Sequence, residues 1–283
     1  MRIDALLAAG ATRSFEFFPP KSDQESVVLA TTLDELQPLH PSFVSVTYRG
    51  GLESRQRTFD LVTSIQREGR LTAMAHLICV GHTQLELRAI LANYIGAGVQ
   101  NVMALGGDTP SDPGLVASEF RHALDLVELA REVGDFSIGV AAHPQMHPRS
   151  PDRASDRGYL AAKLRVADFA VTQFFFDADE WTQLVEELGE LGVTKPVLPG
   201  IMPVTTLSGV ARMAQMGASV PVDLVARLET AHQRGGPAGV RAEGVAAARE
   251  LCEQLLERGA PGLHFYTLNR STATREIHDA LFA

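Results

Sequence analysis

The chain has 283 residues, 45% of them hydrophobic, and a formal charge of −9. That composition supports a full globular core and excludes a disordered chain. The acidic balance excludes a nucleic-acid-binding surface, which needs a net basic field, but leaves local basic residues free to hold small anions.

Residues 5–11, ALLAAGA, read as a short leading helix, because they run straight into a strand and lack the basic cluster of a signal peptide. The first strand, Ser14–Phe18, places Ser14, Glu16 and Phe18 on one face and Phe15 and Phe17 on the other. Burial among these phenylalanines is expected to lift the Glu16 carboxyl above its ordinary ~4.3. A buried carboxylate is costly, so Glu16 is either paired or kept for chemistry. Further β-rich runs follow at Phe43–Tyr48, Thr72–Cys79, Asn101–Leu105, Phe136–Ala141, Phe169–Phe175, Pro196–Ile201 and Gly262–Tyr266. Several are almost continuously apolar, as parallel strands covered on both faces are. Helical patterns lie between them, two opening on capping-box sequences, Ser22–Glu25 and Thr83–Glu86.

Strand then helix, eight times, predicts a (βα)8 TIM-type barrel forming a single domain over residues 1–283, with extra helices before the last strand. A doubly wound sheet is the alternative, but its glycine fingerprint is replaced after the first strand by Pro19-Pro20. The Pro/Ser/Asp/Arg-rich stretch 147–158 reads as a loop after strand five. Met213 and Met216 read as packing residues, and the acidic stretch Glu186–Glu190 as a solvated helix face. Cys79 and Cys252 read as free thiols of a reducing compartment. No apolar run reaches the ~18 residues of a membrane span, so the chain is expected in the cytoplasm.

In such barrels the chemistry sits at the C-terminal strand ends. Those ends carry Glu16, Thr47-Tyr48, His76, Gly106-Gly107-Asp108, His143 with His147, Gln173, Pro199-Gly200 and Tyr266 through Arg270. Each has a plainer reading: Glu16 as half of a buried ion pair, His76 as a satisfied core histidine, Asp108 as a turn or cap residue, Gln173 as a barrel-layer residue. His143 and His147 have the spacing of a helical metal pair, but Pro144 and Pro148 argue against a helix and no acidic third ligand follows, so no metal site is expected.

SFEFFPPK at 14–21, FVSVTY at 43–48, AHLIC at 75–79, ALGGDTP at 104–110, TQFFFD at 172–177, PGIMPVT at 199–205 and HFYTLNRS at 264–271 resemble, in order, the bacterial methylenetetrahydrofolate reductases. The resemblance implies a barrel that binds FAD and uses NADH or NADPH to reduce 5,10-methylenetetrahydrofolate to 5-methyltetrahydrofolate. It allows a homo-oligomer and implies no membrane or nucleic-acid partner. Carried over by motif, it makes Glu16 the general acid, with Asp108 and Gln173 beside it at the reacting centre. It makes Thr47, Tyr48, His76, Leu105, Gly106, Gly107, Asp108, Ala117, His143, His147, Asp156 and Lys163 flavin-contacting, and Glu16, Asp108, Gln173, Tyr266 and Arg270 folate-contacting. Four departures stand out: Gly106 where the family has arginine, His143 where it often has tyrosine, a shortened loop at Val166–Asp168, and Gly209 where it has a folate-contacting glutamine. Three of these are expected to touch the flavin site, with Arg149, Arg153 or Arg165 as candidates for the lost charge. The rival functions are a pterin reductase without tightly held flavin, a metal-dependent barrel hydrolase on His76, His143, His147 and Asp108, and a non-catalytic folate binder.

Overall fold

A computed structural model describes residues 1–48, 52–107 and 119–282, the side chains of residues 52 and 53 excepted. Eight parallel strands close into a barrel in chain order: β1 (Thr12–Phe17), β2 (Phe43–Val46), β3 (Ala73–Ile78), β4 (Asn101–Leu105), β5 (Ser137–Ala142), β6 (Phe169–Phe174), β7 (Val197–Ile201) and β8 (Gly262–Tyr266). This is the expected (βα)8 architecture, with β4 and β8 at the expected bounds and the other strand ends moved by at most two residues. Glu16 pairs in register with Ser45 of β2 on one side and Tyr266 of β8 on the other, which closes the ring.

Helices α1 (Ile3–Ala9), α2 (Asp23–Leu36), α3 (Leu52–Glu68), α4 (Gln84–Gly96), α5 (Ala123–Val133), α6 (Arg153–Val166), α7 (Ala178–Glu190), α8 (Leu207–Gln215), α9 (Val222–Glu257) and α10 (Thr272–Phe282) complete the fold. Local signals place them. Thr83 forms the full capping box with Glu86, whereas Ser22 caps the Glu25 amide and the Glu25 carboxylate turns to the Lys21 amide instead. The loop predicted over 147–158 ends earlier: the Asp152 carboxylate accepts from the Ser155 amide and starts α6 at Arg153. A side-chain cap of this kind outweighs the loop-like composition around it.

The main core lies between strands and helices and contains Phe15 and Phe17 with Leu29, Leu36 and Val46. A second cluster fills the barrel, where Ile3 of α1 packs with Phe43, Met74, Met103, Phe169, Val171 and Leu198. The Asn101 side chain accepts from the Ile3 amide and donates to the Met1 carbonyl, so α1 plugs the N-terminal end. The open end of the barrel is therefore the C-terminal one.

The extra helices before β8 are α8 and α9. Gly236, at φ 59° and ψ −149°, breaks α9 into two halves that fold back on each other, joined by Arg227 to Glu243 and Glu250. The second half passes very close to the turn after β7. A Cβ on Gly244 would stand 1.9 Å from the Val204 carbonyl oxygen. Gly244→Ala is expected to cost about 1–3 kcal/mol through this overpacking, measured as a lower denaturant midpoint; an unchanged midpoint would refute the contact.

Candidate active site

A polar group sits at the mouth end of the barrel interior. Side-chain alternation turns Glu16 inward, away from Phe15 and Phe17, so it is not housed among phenylalanines. Its Oε2 lies 3.3 Å from Ser45 Oγ, which donates to it, and 3.3 Å from Nε2 of fully buried His264. His76 Nε2 is 3.4 Å away without hydrogen-bond geometry. Ser14 Oγ stands 2.8 Å from His264 Nδ1 and fixes that ring from behind. These neighbours reverse the expected upward displacement of the Glu16 carboxyl. Burial pushes it up, but the charge of His76, then the hydrogen bond and charge of His264, hold it below its ordinary value. Burial in turn lowers His76, against the Glu16 charge.

At the ends of β2 and β3, Thr47 is buried and its Oγ1 has no hydrogen-bond partner among the described residues. The Tyr48 hydroxyl meets His82 Nε2 at 3.1 Å, and His82 Nδ1 meets the Val80 carbonyl at 3.2 Å. Nδ1 thus carries the proton, and Tyr48 donates to Nε2. His82, unnoticed in the sequence, holds the Tyr48 ring in place.

The β4–β5 side is built from backbone and a tied-down loop. Leu105 ends β4, Gly106 and Gly107 follow it, and the Gly106 carbonyl accepts from the Val80 amide and the Cys79 thiol. Asp108 and Ala117 lie outside the described residues. After β5, the His143 and His147 rings meet edge to face at 4.6 Å. Asp156 serves this loop: its Oδ1 accepts from the His147 amide and the Ser150 hydroxyl, and its Oδ2 from Arg157. Arg157 also donates to the His143 and Pro144 carbonyls and pairs with Glu187 at 2.6 Å. Glu187, expected on a solvated face, is an anchor instead. The Lys163 ammonium donates to the Ala141 carbonyl, and burial lowers its pKa to about 8.

Opposite, Gln173 Nε2 donates to the Met216 carbonyl while its Oε1 accepts from the Phe174 amide. Met216 is half-exposed, unlike buried Met213. The Tyr266 hydroxyl donates to the Thr172 carbonyl. Leu268 and Asn269 both take left-handed backbone angles, a strain that concentrates at functional turns. Asn269 clamps the Phe18 amide and carbonyl, tying β8 to β1, and exposed Arg270 follows.

The methylenetetrahydrofolate reductase family profile matches residues 2–281. The chain belongs to the methylenetetrahydrofolate reductase family. It is 34% identical over 266 residues to the 5,10-methylenetetrahydrofolate reductases of Pectobacterium carotovorum and Escherichia coli, covering 93% of this chain and 88% of each relative. It is equally similar to an NADH methylenetetrahydrofolate reductase of Arabidopsis thaliana, of which it spans 48%. A Clostridium thermocellum protein described as binding two copies of 5-methyl-5,6,7,8-tetrahydrofolic acid shares the fold, with a TM-score of 0.68 at 12% identity over 99% of this chain and 97% of that one. The chain is thus an oxidoreductase of folate one-carbon metabolism.

Against that family, the shortened loop at Val166–Asp168 proves remote from the site. Asp168 immediately precedes β6, accepts from the Ile138 amide and pairs with Arg131, at the closed N-terminal end of the barrel. The expectation that it disturbs the flavin site is overturned. Gly209 lies in the first turn of α8, where its amide donates to the Thr206 cap. Among the described residues, no group of three metal-ligating side chains assembles, and no helix is long and apolar enough to cross a membrane.

The histidines His264 and His82 escaped sequence reading. His264 lies in an apolar run, HFY, and only its register against Ser14 brings it to Glu16. His82 follows the end of β3 and has no motif of its own.

Proposed function

We propose that this barrel, acting as one domain in the cytoplasm, uses FAD to pass hydride from NADH or NADPH to 5,10-methylenetetrahydrofolate, with Glu16 as the proton donor. The observation that carries this reading is the Glu16–His264 pair at the inner end of the open mouth. Opening the methylene bridge requires a proton on the departing N10 nitrogen; hydride then adds to the methylene carbon of the resulting iminium. Glu16 is placed to supply that proton: its carboxyl stands at the inner end of the mouth, held 3.3 Å from His264 Nε2. Ser45 orients the carboxylate, and Ser14 keeps the ring aligned.

The residues present fit a flavin nucleotide. Thr47 Oγ1 and His76 Nε2 are buried polar atoms at adjacent strands that make no hydrogen bond among the described residues, the kind of group a heterocycle's hydrogen-bonding edge satisfies. Lys163 adds a part-buried cation with no carboxylate in ion-pair range among the described residues. Bound there, a flavin supplies the two-electron relay between nucleotide and folate. Gln173 offers donor and acceptor together once it leaves Met216, which suits a pterin edge. Asp108, outside the described residues, and Arg270 complete the folate set by the family resemblance.

The test is a visible spectrum of the purified protein followed by anaerobic half-reactions. The expected result is a flavin band that NADH or NADPH bleaches and that methylenetetrahydrofolate restores. A colourless protein that still oxidises NADH only with folate present would replace this reading by direct hydride transfer. Absence of folate reduction by either route would overturn it.

A further inference from the structure

The β4–β5 corner of the mouth holds two cations without an ion-pair partner among the described residues, although the Asp156 carboxylate acts on one of them, Lys163, at longer range. The other is Arg149, whose guanidinium reaches from the loop after β5 to donate to the Gly107 carbonyl at 3.2 Å. Neither forms an ion pair among the described residues, although the whole chain is acidic. Both charges press on His143, which burial, His147, Lys163 and Arg149 together hold down at about 4.

The loop that carries Arg149 is built rather than slack. The Arg149 amide donates to His147 Nδ1, and the His147 amide donates to Asp156. The other arginines that could serve this corner are committed elsewhere. Arg153 pairs with Glu187 and donates to the Gln145 carbonyl. Arg165 donates to the Leu191 carbonyl near the C-terminal end of α7, on the closed side of the barrel. Arg149 uses one of its N–H groups on Gly107, and a guanidinium fork suits two oxygens of an anion. Next to it, among the described residues, a Cβ on Gly106 would meet nothing nearer than the Ala123 amide nitrogen at 3.9 Å. Position 106 therefore admits a Cβ and carries none.

We propose that Arg149, supported by Lys163, binds the diphosphate of the flavin dinucleotide and takes the place of a cation at position 106. The assignment rests on the flavin reading above and deepens it. It makes Arg149 the residue that favours the dinucleotide over shorter flavins, because riboflavin lacks phosphate and FMN carries only one.

Equilibrium dialysis of the purified chain against FAD, FMN, riboflavin and NADH tests this. Arg149→Ala is expected to weaken FAD about 10- to 100-fold, the loss of one or two charge-assisted hydrogen bonds, and to leave riboflavin unchanged. Arg165→Ala, on the closed side, is expected to change none of them. Adding Gly106→Arg to Arg149→Ala is expected to recover most of the FAD affinity. Undiminished FAD binding by Arg149→Ala, or equal loss of FAD and riboflavin, overturns the assignment while leaving the flavin reading intact. Loss confined to NADH reassigns the diphosphate to the pyridine nucleotide and also overturns it. A wild-type chain that binds no flavin removes both.

Discussion

Glu16→Gln is expected to leave reduction of the bound flavin by NADH or NADPH within a few-fold of wild type and to slow the folate half-reaction about 10²- to 10⁴-fold, the usual weight of one general acid. Glutamine keeps the shape and can still accept from Ser45, so the pocket should survive; only the ionisable proton is gone. The pH dependence carries the same information with a definite sign. His76 and His264 hold the Glu16 carboxyl below its ordinary value, so in the free protein it is ionised at neutral pH. A carboxyl must carry a proton to act as a general acid, so the donating form is the protonated one. The folate step should therefore slow as pH rises and the Glu16 carboxyl loses its proton, and the variant should lose this dependence. Stopped-flow measurement of the two half-reactions checks both statements. Equal loss in both half-reactions would mean that Glu16 holds the cofactor rather than the proton.

Arg157→Met is expected to be the most destabilising of the substitutions considered. The guanidinium is 3% exposed and satisfies Asp156, Glu187 and two backbone carbonyls of the loop that carries His143 and His147. Removing it strands a buried carboxylate, which costs about 3–5 kcal/mol and should lower the melting temperature by on the order of 10 °C. The same change should loosen the β5–α6 loop, so FAD affinity should fall together with that of riboflavin. That shared loss separates it from Arg149→Ala, where only the phosphate-bearing ligand suffers. A melting temperature within a degree or two of wild type would show that the network contributes little.

The barrel was legible because its signals are local and repeated. Short apolar runs rich in β-branched and aromatic residues, such as FVSVTY and FAVTQFFF, fit strands covered on both faces, and Thr83 and Asp152 start helices by contacts within one turn. Even so, composition misled at 147–158, where one capping carboxylate turned half of an apparent loop into helix. The inward direction of Glu16 was also legible, since alternation alone separates it from Phe15 and Phe17. Its protonation was not. The predicted rise assumed aromatic neighbours that alternation sends to the other side of the sheet, and the actual neighbours come from β2, β3 and β8.

By itself, then, the order of residues determined the eight-fold alternation and the family, and it nominated residues for the mouth. Only the closed barrel decided what each one does there. It set His264 against Glu16 and sent Asp168 and Arg165 to the closed end. It committed Arg153 to Glu187 and left Arg149 beside a glycine. The division has a physical cause: propensity and capping act over a few residues, whereas charge, proton affinity and ion pairing depend on neighbours that chain closure brings within about 4 Å of one another.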